Sequence, residues 1–283
     1  MRTGWMADRL RQGRWAAGSG VLVAALVGSC SADGGGGTGT GVEVPATDVE
    51  VVVTSVTDGD SFRAESPAGE VEVRLLGLNS PELDECHGQA ARDALVDLIE
   101  DRTIGLATEP EVDQFDRVLA RAVVDQTYVN WQMVSDGHSV VMTEAGADRE
   151  ALLEAEEAAR TGGMGMWAGD ICGAVGPRAA LEITTVNFDP PGADDEESVT
   201  IINSGSDSID LMGFVLRDES SVNRFVFPGV SLAAGEELIV VRGCGERGQG
   251  TIPWCTEQPI WNNEGDTVLL LDQAGRIVAM RRY

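Results

Sequence analysis

The stretch Val73-Arg74-Leu75-Leu76-Gly77-Leu78-Asn79-Ser80-Pro81-Glu82 joins a β-type apolar run to a cluster of polar side chains. Glycine and proline punctuate it, as they do where a strand gives way to a turn. Upstream stands Asp58-Gly59-Asp60, a turn signal, and downstream stands Arg117. Two arginines and a group of carboxylates on short β segments are the parts needed to cut a phosphodiester with a hard cation. Guanidinium forks donate paired hydrogen bonds to phosphoryl oxygens and stay charged. A carboxylate can orient or deprotonate water, and oxygen ligands suit a hard cation. Taken singly, the same residues have plainer readings. Asp58 and Asp60 also serve as turn formers, Arg74 as a rim arginine paired with Glu82, and Arg117 as the partner of Asp113.

Around this stretch the pattern is that of a β-meander. Val49 to Val56, Ser61 to Ala64 and Val71 to Leu76 read as strands separated by Asp58-Gly59-Asp60 and Pro67-Ala68-Gly69-Glu70. His87 to Glu100 has helical spacing, with Ala90, Ala94, Leu95 and Leu98 on one side. Thr103 to Thr108 and Val118 to Val124 read as strands, and Val129 to Asp136 and Asp148 to Arg160 as helices. The last helix is amphipathic, with its Glu-rich face expected in solvent. Five strands, with a helix after the third and more helices at the end, predict a small barrel of the OB type.

From Ala180 onward short strands are divided by Gly, Asp, Ser and Pro; examples are Ser198–Asn203, Phe214–Arg217, Arg224–Phe227, Glu237–Arg242, Thr267–Leu271 and Arg276–Met280. Regular spacing of this kind predicts a β-sandwich. The fold class is therefore mainly β with helices: a five-stranded OB-fold barrel with about three helices, then an immunoglobulin-like β-sandwich. The expected domains are a signal segment 1–29, a Gly/Thr-rich tether 30–47, the barrel 48–172, a linker 173–180 and the sandwich 181–283.

The chain has 283 residues and a formal charge of -27, and all 20 of its basic residues are arginine. Such a charge repels polyanions at long range and argues against a tight, non-specific binder of long nucleic acid, which carries a basic footprint. A local basic pocket remains compatible with it.

Arg2, Arg9, Arg11 and Arg14 precede a short apolar run, Ala16 to Val27, that ends in Val27-Gly28-Ser29-Cys30. The pattern is that of an export signal and resembles the lipobox of bacterial lipoproteins. That likeness implies lipidation at Cys30 and attachment to the outer face of the cell membrane; an ordinary signal peptide or a short membrane anchor is the alternative. Cys86, Cys172, Cys244 and Cys255 then remain. Three connectivities are open; Cys86–Cys172 and Cys244–Cys255 are expected, because each pair stays within one domain. Oxidised pairs belong outside the cytosol. No CxxC motif supports a zinc site, and the chain has only two His.

Residues from about 48 to 168 resemble the staphylococcal (thermonuclease-type) nuclease family. The likeness rests on Val56-Thr57-Asp58-Gly59-Asp60-Ser61, on Val73 to Glu82, and on Asp113-Gln114-Phe115-Asp116-Arg117-Val118-Leu119-Ala120. Val129-Asn130, Val134-Ser135-Asp136-Gly137 and Gly163-Met164-Gly165-Met166-Trp167 complete it, in family order. The resemblance implies a calcium-dependent nuclease acting on single-stranded or unstructured DNA or RNA and leaving 3′-phosphorylated ends. It implies that Arg74 and Arg117 stabilise the transition state and that Glu82 is the general base or water-orienting group. Asp60 and Asn79 would bind Ca2+ through their side chains, and Ser80 through a main-chain carbonyl. Phe115 would stack on the nucleotide. Two departures stand out: Asn79 replaces a calcium-binding carboxylate, which implies a weaker site, and Asp116 replaces a glycine directly before Arg117. A non-catalytic envelope module that keeps a degenerate nuclease fold is the alternative function.

Residues 181–283 resemble lamin-tail-type domains, through Ile201-Ile202-Asn203-Ser204-Gly205, Ile209 to Asp218 and Trp261 to Asp272. No catalytic constellation is visible there. The Cys244–Cys255 pair is expected to clip one long loop. Asp194-Asp195-Glu196-Glu197 reads as a solvated loop, with a second calcium site as its alternative, and His87 and His138 read as surface residues.

Overall fold

The computed structural model describes residues 42–171, 180–190, 196–256 and 258–283. The signal segment with Cys30, Cys172, Asp194, Asp195 and most of the expected linker lie outside the described residues. The first domain opens with β1 (Val49–Val56), β2 (Ser61–Ser66) and β3 (Gly69–Leu75), an antiparallel meander. Then come β4 (Leu78–Asn79), α1 (Gly88–Ile99), β5 (Thr103–Val112), β6 (Val118–Val124), β7 (Thr127–Tyr128), α2 (Val129–Ser135), β8 (Val140–Val141) and α3 (Arg149–Gly162). β5 pairs with β1 and β6, and β6 runs parallel to β3, which closes a five-stranded barrel. Alternation places Val71, Val73 and Leu75 of β3 and Val118, Ala120 and Ala122 of β6 in the core, with Phe62, Ile104 and Leu106. Arg74 therefore points to the opposite side of its strand, at the barrel mouth.

The barrel's polar interior is satisfied by Asn130, fully buried at the start of α2. Its side chain accepts from the Ala122 N–H and donates to the Leu76 carbonyl, each at 2.9 Å. This ties α2 to the strand end that precedes Gly77.

The second domain runs β9 (Leu181–Asn187), β10 (Ser198–Asn203), β11 (Ile209–Asp210), β12 (Val215–Arg217), β13 (Arg224–Val226), β14 (Ser231–Leu232), β15 (Glu237–Arg242), β16 (Thr251–Trp254), β17 (Thr267–Leu271) and β18 (Ile277–Arg282). One sheet has the order β16-β15-β10-β9, another β13-β12-β17-β18, and β11 pairs with β14. Leu181, Ile201, Leu216, Phe227, Leu238, Trp254, Trp261 and Leu270 belong to their shared core. The barrel and the sandwich-type sheets agree with the predicted fold class.

Several sequence expectations need correction. The Cys244–Cys255 disulfide is present, but the segment it closes is not all loop: β16 runs parallel to β15. Cys86 is disulfide-bonded, while its expected partner Cys172 lies outside the described residues. Glu197 is buried, not solvated. It accepts the N–H groups of Ile260 and Trp261 and pairs with Arg242 at 3.1 Å. That leaves its oxygens committed to protein donors, which disfavours the alternative of a calcium ligand there. His87 and His138 are half-buried and stacked, with Nε2 and Nδ1 2.8 Å apart. Burial first, then the neighbouring imidazole, lower the pKa of His87 to about 4.

Glu156 on the Glu-rich face of α3 is also buried, at 1% exposure. The reason lies in the second domain. Arg282 of β18 donates to both Glu156 carboxylate oxygens, at 2.8 and 2.5 Å, and to the Val141 carbonyl. Beside this pair, Val140 and Met166 of the first domain pack with Leu269 and Leu271 of the second. Further along, Glu85 pairs with Arg224 at 2.9 Å and faces Arg217 at 3.6 Å. A Cβ on Gly275 would lie 2.6 Å from the Glu85 Cα. The two domains thus share a seam of apolar contacts bounded by ion pairs.

Removing one partner of a buried pair leaves an uncompensated charge, which typically costs several kcal/mol. Arg282→Met should therefore lower unfolding free energy by about 3 kcal/mol in urea titration, and adding Glu156→Gln should recover much of the loss. A loss under about 1 kcal/mol would contradict the role given to this pair.

Candidate functional site

The site is assembled where β2, β3 and β6 meet. In the β2–β3 register Ser61 lies opposite Arg74, and β3–β6 pairing sets Val73 against Val118, so that Arg117 enters at the same level. The turn before β2 is held by the Asp58 carboxylate, which accepts the Asp60 N–H at 3.0 Å. Gly59 is required for close approach: a Cβ there would meet Ser80 at 2.6 Å and Ala91 at 2.8 Å. Asp60 is consequently buried against Ser80, whose N–H donates to Asp60 Oδ2 at 2.7 Å.

Arg74 lies at the centre. Its guanidinium pairs with Asp60 and donates to Asn79 Oδ1 at 2.7 Å and to the Leu78 carbonyl at 3.1 Å. Its partner is thus Asp60 and not Glu82. Burial, and then the nearby charge of Arg117, lower its pKa to about 10; it remains a cation at neutral pH. Ser61 links the two arginines: its hydroxyl donates to Asp60 Oδ1 at 3.0 Å and accepts from Arg117 Nη1 at 3.2 Å. Neither Ser61 nor the Met142 sulfur near Arg74 was singled out in the sequence.

Arg117 is held by Asp113, which accepts its Nε at 2.7 Å and its main-chain N–H at 2.9 Å. Burial alone would raise Asp113, but the donors and charge of Arg117, with the Phe115 N–H, bring its pKa down overall. Asp116 is exposed with φ 64°, a left-handed conformation suited to glycine and tolerated by Asp. Arg117 therefore pairs with Asp113, not Asp116. Phe115, 63% exposed, lies with its ring centroid 5.2 Å from the Arg117 guanidinium carbon.

Glu82 stands at the edge of this group. Its carboxylate makes no hydrogen bond among the described residues, and its charge acts on Arg74 from a distance. Its backbone is fixed from two sides. α1 begins so close that a Cβ on Gly88 would lie 1.8 Å from the Glu82 carbonyl oxygen. Glu85, the carboxylate held by Arg217 and Arg224, accepts the Glu82 N–H at 3.1 Å. The second domain thereby braces the segment that carries Glu82.

Asp60 and Asn79 offer hard oxygen donors that converge on one positive group, now Arg74. That donor chemistry fits a hard cation such as calcium, with Asp60 as its one carboxylate. No group of three His, Cys, Asp or Glu side chains that could hold a metal occurs among the described residues.

The Asn79 amide also reaches the second domain: Nδ2 donates to Ser221 Oγ at 3.0 Å. Next to it, Glu219 accepts the Thr143 N–H and hydroxyl. Arg74, Arg117, Phe115, Ser220 and Val222 all border one open cleft of about 230 Å³.

Comparison with known proteins gives the same two parts in the same order. Residues 72–169 match the family described as Staphylococcal nuclease homologue, and residues 175–283 match the Lamin Tail Domain. Micrococcal nuclease of Shigella flexneri is 29% identical over 135 residues, which cover 44% of this chain and 77% of that protein.

The acidic residues behind the 218–222 turn have a pH signature. Burial, and then neighbouring carboxylates, raise Glu219, and burial with Asp218 raises Asp266 to about 6. The folded state then keeps a proton that the unfolded state releases between pH 3.8 and about 6. Stability from this group is present below that window and lost as pH rises through it. Urea midpoints of wild type relative to Asp266→Asn should fall between pH 4 and pH 6 and level off above; a pH-independent difference would contradict the assignment.

Proposed function

We propose that this chain, a staphylococcal nuclease homologue joined to a lamin tail domain, is an exported, lipid-anchored, calcium-dependent nuclease. Its substrates would be extracellular DNA or RNA in single-stranded or unstructured form. The observation that carries the reading is the convergence of Arg74 and Arg117, linked through Ser61 and Asp60, on a cleft that an exposed aromatic ring borders. In a chain of charge -27, such a local pair of guanidinium groups is a specific feature.

Phosphoryl transfer depends on positioning and on neutralising charge on the phosphoryl oxygens. Arg74 supplies that neutralisation from β3, and Arg117 from the position directly before the neighbouring β6. Asp113 fixes the Arg117 fork, and Asp60 with Asn79 fixes that of Arg74. Glu82 accepts a proton from the attacking water as its oxygen bonds to phosphorus; the 5′-oxygen leaves, takes up a proton, and the 3′-phosphate remains. Phe115 stacks on a base beside the scissile linkage. A bound calcium ion, held by Asp60, the Asn79 amide oxygen and the Ser80 carbonyl, would polarise the phosphate.

Export and anchoring rest on the N-terminal signal pattern and on Cys30. Disulfide bonding of Cys86, Cys244 and Cys255 is in keeping with an oxidising compartment. The rival reading, a non-catalytic binding module, draws support from the commitment of both Asp60 and Asn79 to Arg74.

The test is hydrolysis of a labelled single-stranded oligonucleotide by the full chain. Glu82→Gln and Arg117→Ala should each lower kcat by about two orders of magnitude or more, with unfolding midpoints close to wild type. Wild-type rates in both variants would remove these residues from the chemistry, whereas no hydrolysis by the folded wild type would leave the binding-module reading.

A further inference from the structure

We propose that the Asp218–Asn223 turn of the second domain is one wall of the nucleic-acid cleft, and that Val222 and Phe115 hold a base of a single strand between them. The occupant's identity rests on the nuclease reading above; the wall is a matter of geometry. Val222 borders the same 230 Å³ cleft as Arg74, Arg117 and Phe115. Val222 is 55% exposed and Phe115 is 63% exposed, whereas most large apolar side chains of either domain are covered. Two exposed apolar groups flanking a pair of guanidinium groups suit a nucleotide, which presents a flat apolar face beside a phosphate.

The turn is built and not a loose tip. The Asp218 carboxylate accepts the Ser220 N–H at 3.1 Å, the Ser220 hydroxyl at 2.9 Å and the Asn223 amide at 2.8 Å. Ser221 adopts φ 64° and accepts from Asn79 of the barrel, and Glu219 accepts from Thr143. Bonds to both domains therefore fix the position of Val222 relative to Arg74. Long-range electrostatics oppose a polyanion approaching this acidic chain, so contact with the bases carries a larger share of recognition. Bases stacked within a duplex cannot enter such a slot, which selects single strands.

The experiment measures binding of a fluorescent oligothymidylate to the full chain by anisotropy in chelator, alongside an abasic strand of equal length. Val222→Ser should weaken oligothymidylate binding roughly three- to fivefold, as expected when a base loses one face of its contact. Val222→Ile should bind like wild type, and the abasic strand should not distinguish the three proteins. Equal oligothymidylate affinity for wild type and Val222→Ser, or an equal loss on the abasic strand, would overturn the slot. So would the absence of wild-type binding. Cleavage by wild type with calcium is scored separately. Binding as described without cleavage leaves the slot and removes the nuclease; cleavage with an indifferent Val222→Ser does the reverse.

Discussion

A guanidinium buried at the barrel mouth is the constraint from which the rest of the site follows. Arg74 cannot lie there without oxygen partners, because a buried charge without compensation is strongly destabilising. Asp60, Asn79 and the Leu78 carbonyl supply them. To do so, the turn before β2 must approach Ser80 closely enough to exclude a side chain at Gly59. The segment after β3 must also fold back across the mouth, which the β4–β8 pairing achieves. Any metal that binds the Asp60 and Asn79 oxygens competes with Arg74 for them. The missing carboxylate at position 79 leaves that competition closer than a second acidic ligand would.

The second domain meets a similar requirement from the other side. Among the described residues, the cationic partners of Glu85 and Glu156 come from the second domain, as Arg224, Arg217 and Arg282. These pairs do more than join two modules. Glu85 braces Glu82, Glu219 binds the segment that follows β8, and Ser221 holds the far end of the Asn79 amide. The second domain is thus part of the site's framework.

Local pattern made much of this legible. β1, β6, β10, β15 and β17 fall on the residues expected from alternation and turn punctuation. Asp60, Arg74, Asn79 and Ser80 stand out in the sequence as one polar set, but the Arg74–Asp60 pair does not, since Glu82 reads there as the partner of Arg74. What escaped is what depends on distant partners. Glu156 and Glu197 read as solvated because a carboxylate on a polar face carries no sign that an arginine more than forty residues away will cover it. β16 escaped because Pro253 interrupts a short apolar run inside a disulfide loop. His87 and His138 meet only through tertiary packing. Ser61 reads in the sequence as a strand residue, and its bridging role between two arginines emerges only from the β2–β3 register.

The most direct test of the central claim is the calcium dependence of cleavage by the full chain on end-labelled single-stranded DNA. Millimolar calcium should start cleavage, excess chelator should stop it, and Asp60→Asn should raise the calcium concentration needed. A folded, monodisperse protein that leaves the DNA intact at every calcium concentration, or that cuts equally well in chelator, would contradict the account.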